Sequence, residues 1–168
     1  MCGFVGFLET NRSRDSTSRI LSAMSSKISH RGPDRSGSWI SEADGVAMAH
    51  QRLSILDLTA TGDQPMWSPS KRYGLVYNGE VYNFLEIKNA LVSLGHSFSG
   101  RSDSEVLVHA IEEWGLEGAL SKIQGMFAFA IWDQKEKCLY LARDRAGEKP
   151  LYYGWVQKTF FFGSELKS

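Results

Sequence analysis

The stretch Met126–Ala142, MFAFAIWDQKEKCLYLA, decides the fold class of this 168-residue chain. Two apolar runs, 126–132 and 138–142, are separated by a short polar turn. Such a pair is typical of an antiparallel β-hairpin. The runs 151–156 and 159–163 repeat the same pattern. We therefore expect antiparallel sheets in this part of the chain.

Outward from this stretch, the chain alternates between strands and amphipathic helices. In one predicted helix, Leu21, Met24 and Ile28 share one face. A short strand after Gly95 and one helical turn at 164–168 are also expected. The total is about eight strands and three or four helices, a layered α+β fold. Strands are predicted at 2–8, 37–41, 46–56 and 73–77, and helices at 15–28, 83–94 and 102–115.

Composition, charge and sequence pattern argue against nucleic-acid binding, membrane association and secretion. Lysine plus arginine number 19 and aspartate plus glutamate number 19, so the formal net charge is zero. We therefore expect neither a nucleic-acid partner nor a charged membrane surface as partner. No secretory signal pattern and no run of about 18 apolar residues is present. The two cysteines, Cys2 and Cys138, are in no metal-ligand spacing, so we predict no metal site and a cytoplasmic location.

The chain shows no internal repeat and no low-complexity linker, so we expect one domain over residues 1–168.

Cys2 is the first candidate for chemistry. Removal of Met1 would leave Cys2 with a free α-amino group, whose usual pKa of about 7.7 to 8.0 lets it accept the thiol proton near neutral pH. The alternative is that Cys2 is only a small residue at the start of a strand.

A second candidate is the pair Asn78-Gly79. A backbone N–H beside a side-chain amide offers two neutral donors for a developing oxyanion. The alternative is a hairpin turn, which Asn-Gly strongly favours. The neighbouring Glu80 adds a carboxylate, which suits a ligand that also carries an ammonium group.

Two further charged residues occupy unusual positions. Arg52 lies in an otherwise apolar predicted strand, where its guanidinium could clamp a carboxylate, or it could be a strand residue whose head reaches water. Asp103 could bind a cation or act as a helix N-cap. The segment Ser99–Ser104 also resembles the phosphate-binding loop of ATP pyrophosphatases, although Arg101 replaces a glycine there.

Taken together, these residues resemble the class II, N-terminal nucleophile, glutamine amidotransferase domain found at the front of asparagine synthetases. The resemblance covers nearly the whole chain. Its segments are Met1–Gly6, His30–Asp34, Arg52–Ile55, Tyr77–Asn83, Ser102–Glu105, Gly125–Asp133, Ala142–Arg145, Gly147–Tyr153 and Ser164–Lys167.

The resemblance implies a four-layer αββα sandwich of two antiparallel sheets, the N-terminal nucleophile hydrolase fold. It implies that Cys2 is the nucleophile. It also implies that Asn78 and the N–H of Gly79 form the oxyanion hole.

The resemblance further implies how L-glutamine would be bound. Arg52 would hold its α-carboxylate, while Glu80 and Asp103 would hold its α-ammonium group. The main chain around Leu53 and Ile55 would line the same pocket.

In that family an ATP-dependent synthetase domain follows and receives the ammonia. The resemblance therefore implies that ATP and Mg²⁺ are needed there, with no cofactor in this domain, and that this chain ends before the amidotransferase domain closes, which would expose apolar surface. A homodimer is a further expectation. Two other functions stay open: a non-catalytic glutamine-binding or interaction module, and a hydrolase of unrelated amides.

Overall fold

The computed structural model describes residues 2–55 and 57–168, which form nine β-strands, three α-helices and two short 3-10 helices. The expected removal of Met1 lies outside the described residues. The helices are α1 (Arg14–Lys27), α2 (Phe84–Ser93) and α3 (Asp103–Lys122). The strands are β1 (Gly3–Leu8), β2 (Arg35–Ser41), β3 (Val46–Arg52), β4 (Met66–Trp67), β5 (Tyr73–Val81), β6 (Gly125–Asp133), β7 (Cys138–Arg143), β8 (Tyr152–Val156) and β9 (Thr159–Gly163).

The strands form two sheets in which each pair of neighbouring strands is antiparallel. One sheet has the order β2-β3-β1-β9-β8 and the other has the order β4-β5-β6-β7. The hairpins predicted over 126–142 and 151–163 are confirmed as the pairs β6–β7 and β8–β9. The edge strand β8 exposes Tyr153 and Trp155, which are 68% and 67% accessible.

Alternation of side chains along the strands builds four layers. In β1, Phe4 packs into the core between the two sheets, whereas Val5 and Phe7 pack against α1. In β5, Val76 faces the same inter-sheet core, whereas Leu75 packs with residues of α2 and α3. Because successive strand residues point to opposite faces, each sheet buries one face against its partner and the other against helices. The predicted αββα sandwich is confirmed.

Two predicted strand ends and one predicted turn are wrong. The strand expected at 46–56 ends at Arg52, because the Arg52 carbonyl accepts a bond from the backbone of Asp34 and the following chain turns toward Cys2. The strand expected at 73–77 continues to Val81, because β6 pairs with it over its whole length. The hairpin-turn interpretation of Asn78-Gly79 is therefore wrong: both residues lie inside β5.

Further differences concern the helices. The described chain contains no strand between Gly95 and α3, and residues 164–168 form a bend and a turn instead of a helical turn. The helix end expected at Gly115 is confirmed as a break in α3, because Gly115 has a non-helical φ of 71° and ψ of 171° and a second helical segment follows to Lys122. Only glycine adopts that backbone conformation at little cost, so Gly115 ends the first helical segment.

Within the residues described above, no helix combines the length and the apolar character needed to span a lipid bilayer.

Candidate active site

A cavity of about 110 Å³ is lined by residues from the start of β1 and the end of β3 in one sheet and from β5 in the other. This volume is a few times the ~30 Å³ that one water occupies in the liquid, so the cavity suits a small molecule and not a folded partner. The chain segments that meet here are distant in sequence. The lining residues are Cys2, Arg52, Leu53, Ile55, Asp57, Gly62, Gln64, Tyr77, Gly79, Glu80, Ser102, Asp103 and Ser104.

Cys2 is half-buried and stands at the entrance to β1. Its Sγ lies 3.5 Å from the carbonyl oxygen and 3.4 Å from the amide nitrogen of Leu53. The carbonyl of Cys2 accepts a bond of 2.9 Å from Nε of Arg31. A Cβ at Gly3 would stand only 2.7 Å from the Arg31 side chain, so glycine is needed for this approach.

Arg31 is a site residue that the sequence argument missed. Its Nη1 donates to Glu165 at 3.0 Å, while its Nε holds Cys2. The Gly-Pro pair in the segment His30–Asp34 favours a turn, and a turn gives no reason to assign a role to the arginine. The one indication for Arg31 in the sequence is that its segment belongs to the motifs of the family resemblance.

The predicted oxyanion pair lies in β5. Gly79 lines the cavity, and a Cβ there would lie 2.4 Å from the carbonyl oxygen of Met126. Asn78 is 2% exposed, and its Nδ2 is a buried donor with no hydrogen-bond partner among the described residues. A buried donor without a partner costs about 1 to 3 kcal/mol, so such groups mark candidate ligand sites. Asn78 does not line the cavity, so its oxyanion role requires the amide to turn toward Gly79.

The backbone of Tyr77, the residue before this pair, is held by two buried side chains that the sequence does not indicate, Gln64 and His50. The N–H of Tyr77 donates to Oε1 of Gln64 at 2.6 Å, and the Tyr77 carbonyl lies 2.9 Å from Nε2 of His50. Burial lowers the pKa of His50 to about 4, so the ring is neutral at pH 7 and its Nε2–H is the donor. Neither His50 nor Gln64 is distinguishable by sequence pattern from an ordinary residue of an apolar strand or loop.

Arg52, which is 6% exposed, lines the cavity. Its Nη1 donates to the carbonyl of Thr59 and to Oδ1 of Asp63, both at 2.7 Å, and its Nη2 donates to the carbonyl of Asp57. The interpretation of Arg52 as a strand residue whose head reaches water is therefore wrong. The guanidinium lines the cavity but already binds a loop of its own chain.

Asp57 fixes this loop. Its carboxylate accepts bonds from the hydroxyls of Thr59 and Thr61, from the Thr59 amide, and from the amide of Arg101 at 3.0 Å. The bonds from the Thr59 hydroxyl and the Arg101 amide hold the pKa of Asp57 well below its usual range. The loop that carries the acceptors of Arg52 is thus tied to the start of α3.

Asp103, which is 5% exposed, also lines the cavity. Its Oδ2 accepts bonds from the Tyr77 hydroxyl at 2.7 Å and from the Val81 amide at 3.0 Å. Burial raises the pKa of Asp103, and the bond from Tyr77 opposes that rise. The N-cap interpretation of Asp103 is wrong, because Ser102 caps the helix by accepting from the amide of Glu105 at 3.2 Å.

The phosphate-loop interpretation of Ser99–Ser104 is also wrong. The amides of Ser99 and Gly100 donate to the carboxylate of Glu105 at 2.7 and 2.9 Å, and the Arg101 amide donates to Asp57. Two carboxylates of the chain itself therefore occupy the amides that a phosphate would need.

The remaining predicted positions also reach the cavity. Leu53 lines it beside Cys2, Ile55 lines it with 72% of its surface exposed, and Glu80 lines it from an exposed position. The structure therefore gathers seven of the eight predicted residues around one cavity and buries the eighth, Asn78, beside Gly79. Among residues 2–55 and 57–168, no group of three histidine, cysteine or acidic side chains could hold a metal ion.

This arrangement can be compared with known proteins. A family model described as the glutamine amidotransferase domain matches residues 1–168. The chain belongs to this family. The family membership expected from the motifs is therefore confirmed.

Relatives of this amidotransferase domain include glutamine-hydrolyzing asparagine synthetase 3 of Bacillus subtilis (strain 168). That protein is 38% identical over 170 residues, which cover 100% of this chain and 27% of its own length. Glutamine-hydrolyzing asparagine synthetase 2 of Oryza sativa subsp. japonica is 41% identical, covering 100% of this chain and 28% of its own length. The amidotransferase domain thus spans about a quarter of the length of the curated relatives it matches.

A solved structure supports the fold independently. Glutamine phosphoribosylpyrophosphate amidotransferase from B. subtilis, in complex with ADP and GMP, matches with a TM-score of 0.75. The match covers 98% of the amidotransferase domain and 42% of that chain at 22% identity. At this identity the match shows the fold alone.

Proposed function

We propose that this amidotransferase domain hydrolyses the side-chain amide of L-glutamine to glutamate and ammonia, with Cys2 as the nucleophile. The observation that carries the proposal is that Cys2, Gly79, Arg52 and Asp103 line one small cavity. The α-carbon of a free amino acid bears a carboxylate and an ammonium group, which Arg52 and Asp103 match in charge. A nucleophile and an oxyanion donor in the same cavity suit acyl transfer at the side chain.

In the first step the α-amino group of Cys2 accepts the thiol proton, which requires that Met1 has been removed. The thiolate attacks the side-chain carbonyl carbon of glutamine. The carbonyl oxygen becomes an oxyanion, which the N–H of Gly79 and the turned amide of Asn78 stabilise. The carbon–nitrogen bond then breaks, and the leaving nitrogen takes the proton from the Cys2 amine and departs as ammonia.

In the second step a water molecule attacks the γ-glutamyl thioester. The Cys2 amine accepts the water proton, and the same donors stabilise the second oxyanion. The carbon–sulfur bond breaks, the thiol regains its proton, and glutamate leaves. Throughout both steps Arg52 holds the α-carboxylate, whereas Asp103 and Glu80 hold the α-ammonium group.

The ammonia is proposed to serve a synthetase domain in a longer protein. The longer relatives named glutamine-hydrolyzing asparagine synthetases support this proposal. On this basis the domain would be the glutaminase half of an ATP-dependent, amide-forming ligase of asparagine biosynthesis in the cytoplasm. ATP and Mg²⁺ would act in that other domain, and a homodimer is the expected assembly.

The test is glutamate release from glutamine without ATP, measured beside the intact mass of the protein. Protein that lacks the mass of Met1 should release glutamate, and Cys2→Ala should abolish this release. Cys2→Ser is the conservative variant, which keeps a weaker nucleophile and should retain only a trace of activity. Cys138→Ala is the matched control, because that exposed cysteine lies away from the cavity.

The other outcomes separate the remaining alternatives. A processed N-terminus with glutamine binding but no turnover would indicate a non-catalytic binding module. Cys2-dependent hydrolysis of amides that lack an α-amino acid head, at the rate of glutamine, would indicate a hydrolase of unrelated amides. Either result would overturn the proposed glutaminase.

A further inference from the structure

We propose that Tyr77 is a positioning residue that orients Asp103 toward the α-ammonium group of the substrate, and so determines selectivity for amides that carry a free α-amine. The inference rests on the proposed glutaminase and deepens it. Tyr77 does not belong to the predicted site residues, and its role is read from its contacts.

The hydroxyl of Tyr77 makes one directed bond. It donates to Oδ2 of Asp103 at 2.7 Å, with both side chains buried. The amide of Val81 donates to the same oxygen at 3.0 Å. A short bond from a hydroxyl to a carboxylate is a charge-assisted contact, which is stronger and more directional than a neutral one. Two donors from β5 therefore fix the rotamer of a carboxylate that lies on α3.

The backbone of Tyr77 is held at the same point. Gln64 accepts from its N–H, and His50 donates to its carbonyl, so both groups are satisfied where β4 no longer pairs with β5. Gln64 in turn donates to the hydroxyl of Ser104 at 3.3 Å. Tyr77 is therefore bound at its hydroxyl, its N–H and its carbonyl to three different parts of the chain.

This fixed residue lies directly before the predicted oxyanion pair. The Tyr77 carbonyl belongs to the peptide that precedes Asn78, so its contact with His50 holds the backbone one peptide before the N–H of Gly79. The same residue thus connects the carboxylate that would bind the ammonium group with the strand segment where the oxyanion would form. The hydroxyl also favours the charged form of the Asp103 carboxylate, since its bond opposes the burial that raises the pKa of Asp103.

The experiment compares Tyr77→Phe with Tyr73→Phe. Tyr73 is also buried and lies on the same face of β5, but it does not line the cavity. Both substitutions remove only a hydroxyl, and thermal unfolding checks that both variants fold. The readouts are kcat and KM for glutamine, and inhibition by glutamate and by glutarate, which is glutamate without its α-amine.

We expect Tyr77→Phe to raise KM for glutamine about tenfold and to change kcat less than about twofold. Its inhibition constant for glutamate should rise about tenfold, while that for glutarate stays within about twofold. The acid limb of kcat/KM should move to higher pH, because Asp103 loses the bond that lowers its pKa. Tyr73→Phe should match the unmodified protein in each readout.

Equal weakening of glutamate and glutarate would overturn the inference, because it would show a general disturbance of the cavity. Unchanged binding of both would overturn it as well. Failure of the proposed function is seen separately, as the absence of Cys2-dependent glutamate release from the unmodified protein. In that event calorimetric binding of glutamate and glutarate still decides the role of Tyr77.

Discussion

The two buried charged side chains that line the cavity, Asp103 and Arg52, are held in different ways. Asp103 lies on a long helix against a sheet, and its carboxylate is bound by Tyr77 and Val81 of one neighbouring strand. Arg52 lies where β3 ends, and its guanidinium is bound by a loop that includes Asp63, whose side chain is 39% exposed. The position of Asp103 is set by packed secondary structure, whereas that of Arg52 depends on a loop.

Asp103 is therefore preorganised for a ligand, whereas at Arg52 a ligand must compete with a partner from the same chain. Asp103 accepts bonds from neutral donors, which orient it and leave its charge available to a cation. Arg52 already has an intramolecular carboxylate partner, so a ligand carboxylate must share or displace it. Substrate binding through Asp103 should therefore be sensitive to changes inside the core, and substrate binding through Arg52 to changes on the surface.

The largest expected effect is a loss of unfolding free energy at low pH, caused by the buried His50. Burial lowers the pKa of His50 to about 4, from 6.5 in the unfolded chain. Between these values the unfolded chain binds the extra proton, so the stabilisation is complete above pH 6.5 and is lost as pH falls toward 4. The loss amounts to about 3 kcal/mol of unfolding free energy. Urea unfolding at several pH values measures it.

His50→Gln tests this prediction, because glutamine keeps an N–H for the Tyr77 carbonyl but does not titrate. Its unfolding free energy should depend less on pH over that interval. His30→Gln is the control, since the His30 side chain is 54% exposed. An equal pH dependence in His50→Gln and the unmodified protein would contradict the assignment.

Asp103→Asn should raise KM for glutamine by about 10- to 100-fold with a smaller change in kcat. The reason is that hydrogen bonds to charged groups contribute about 1.5 to 3 kcal/mol, and asparagine still accepts from Tyr77 and Val81. Steady-state kinetics measure the effect. Asp44→Asn, which alters an ion pair with Lys137 at the β2–β3 hairpin, should leave KM unchanged. An unchanged KM in Asp103→Asn would remove Asp103 from the binding site.

Arg52→Lys should raise KM about tenfold and also loosen the loop 57–63. A lysine ammonium cannot reproduce the planar fork that reaches Asp57, Thr59 and Asp63 together. Kinetics measure the first effect and hydrogen exchange of residues 57–63 measures the second. Faster exchange with an unchanged KM would show that Arg52 only supports the loop.

Asp63→Asn should give the smallest effect, a fall in KM of about two- to fivefold. It removes the carboxylate that competes for Arg52, and exposed ion pairs contribute up to about 1 kcal/mol. The gain should shrink as salt is added, because salt screens exposed charges. An increase in KM would instead show that Asp63 positions Arg52 for its ligand.

The sequence predicted the elements well where a periodic pattern met a distinct turn. The hairpins β6–β7 and β8–β9 follow from apolar runs around polar turns, and their pairing is confirmed. The prediction failed at β5, because Asn78-Gly79 favours a turn locally while pairing with β6 keeps the strand extended. Tertiary pairing outweighed the local preference there.

The site could be predicted only as far as its charged or unusual residues. The residues that stand out in the sequence lie in or beside apolar runs or at a helix start, and they are Cys2, Arg52, Glu80 and Asp103. Tyr77 looks like an ordinary strand residue, and only its hydroxyl contact shows otherwise.

By itself, the sequence determined the family, the antiparallel fold class and the residues that could carry chemistry. These depend on local patterns and on motifs that can be read along the chain. Only the tertiary structure decided the partners: Arg52 with Asp63, Tyr77 with Asp103, and Arg31 with Cys2. Most of these contacts join residues far apart in sequence. Strand register and the stacking of two sheets bring them together, and neither is encoded in any short segment.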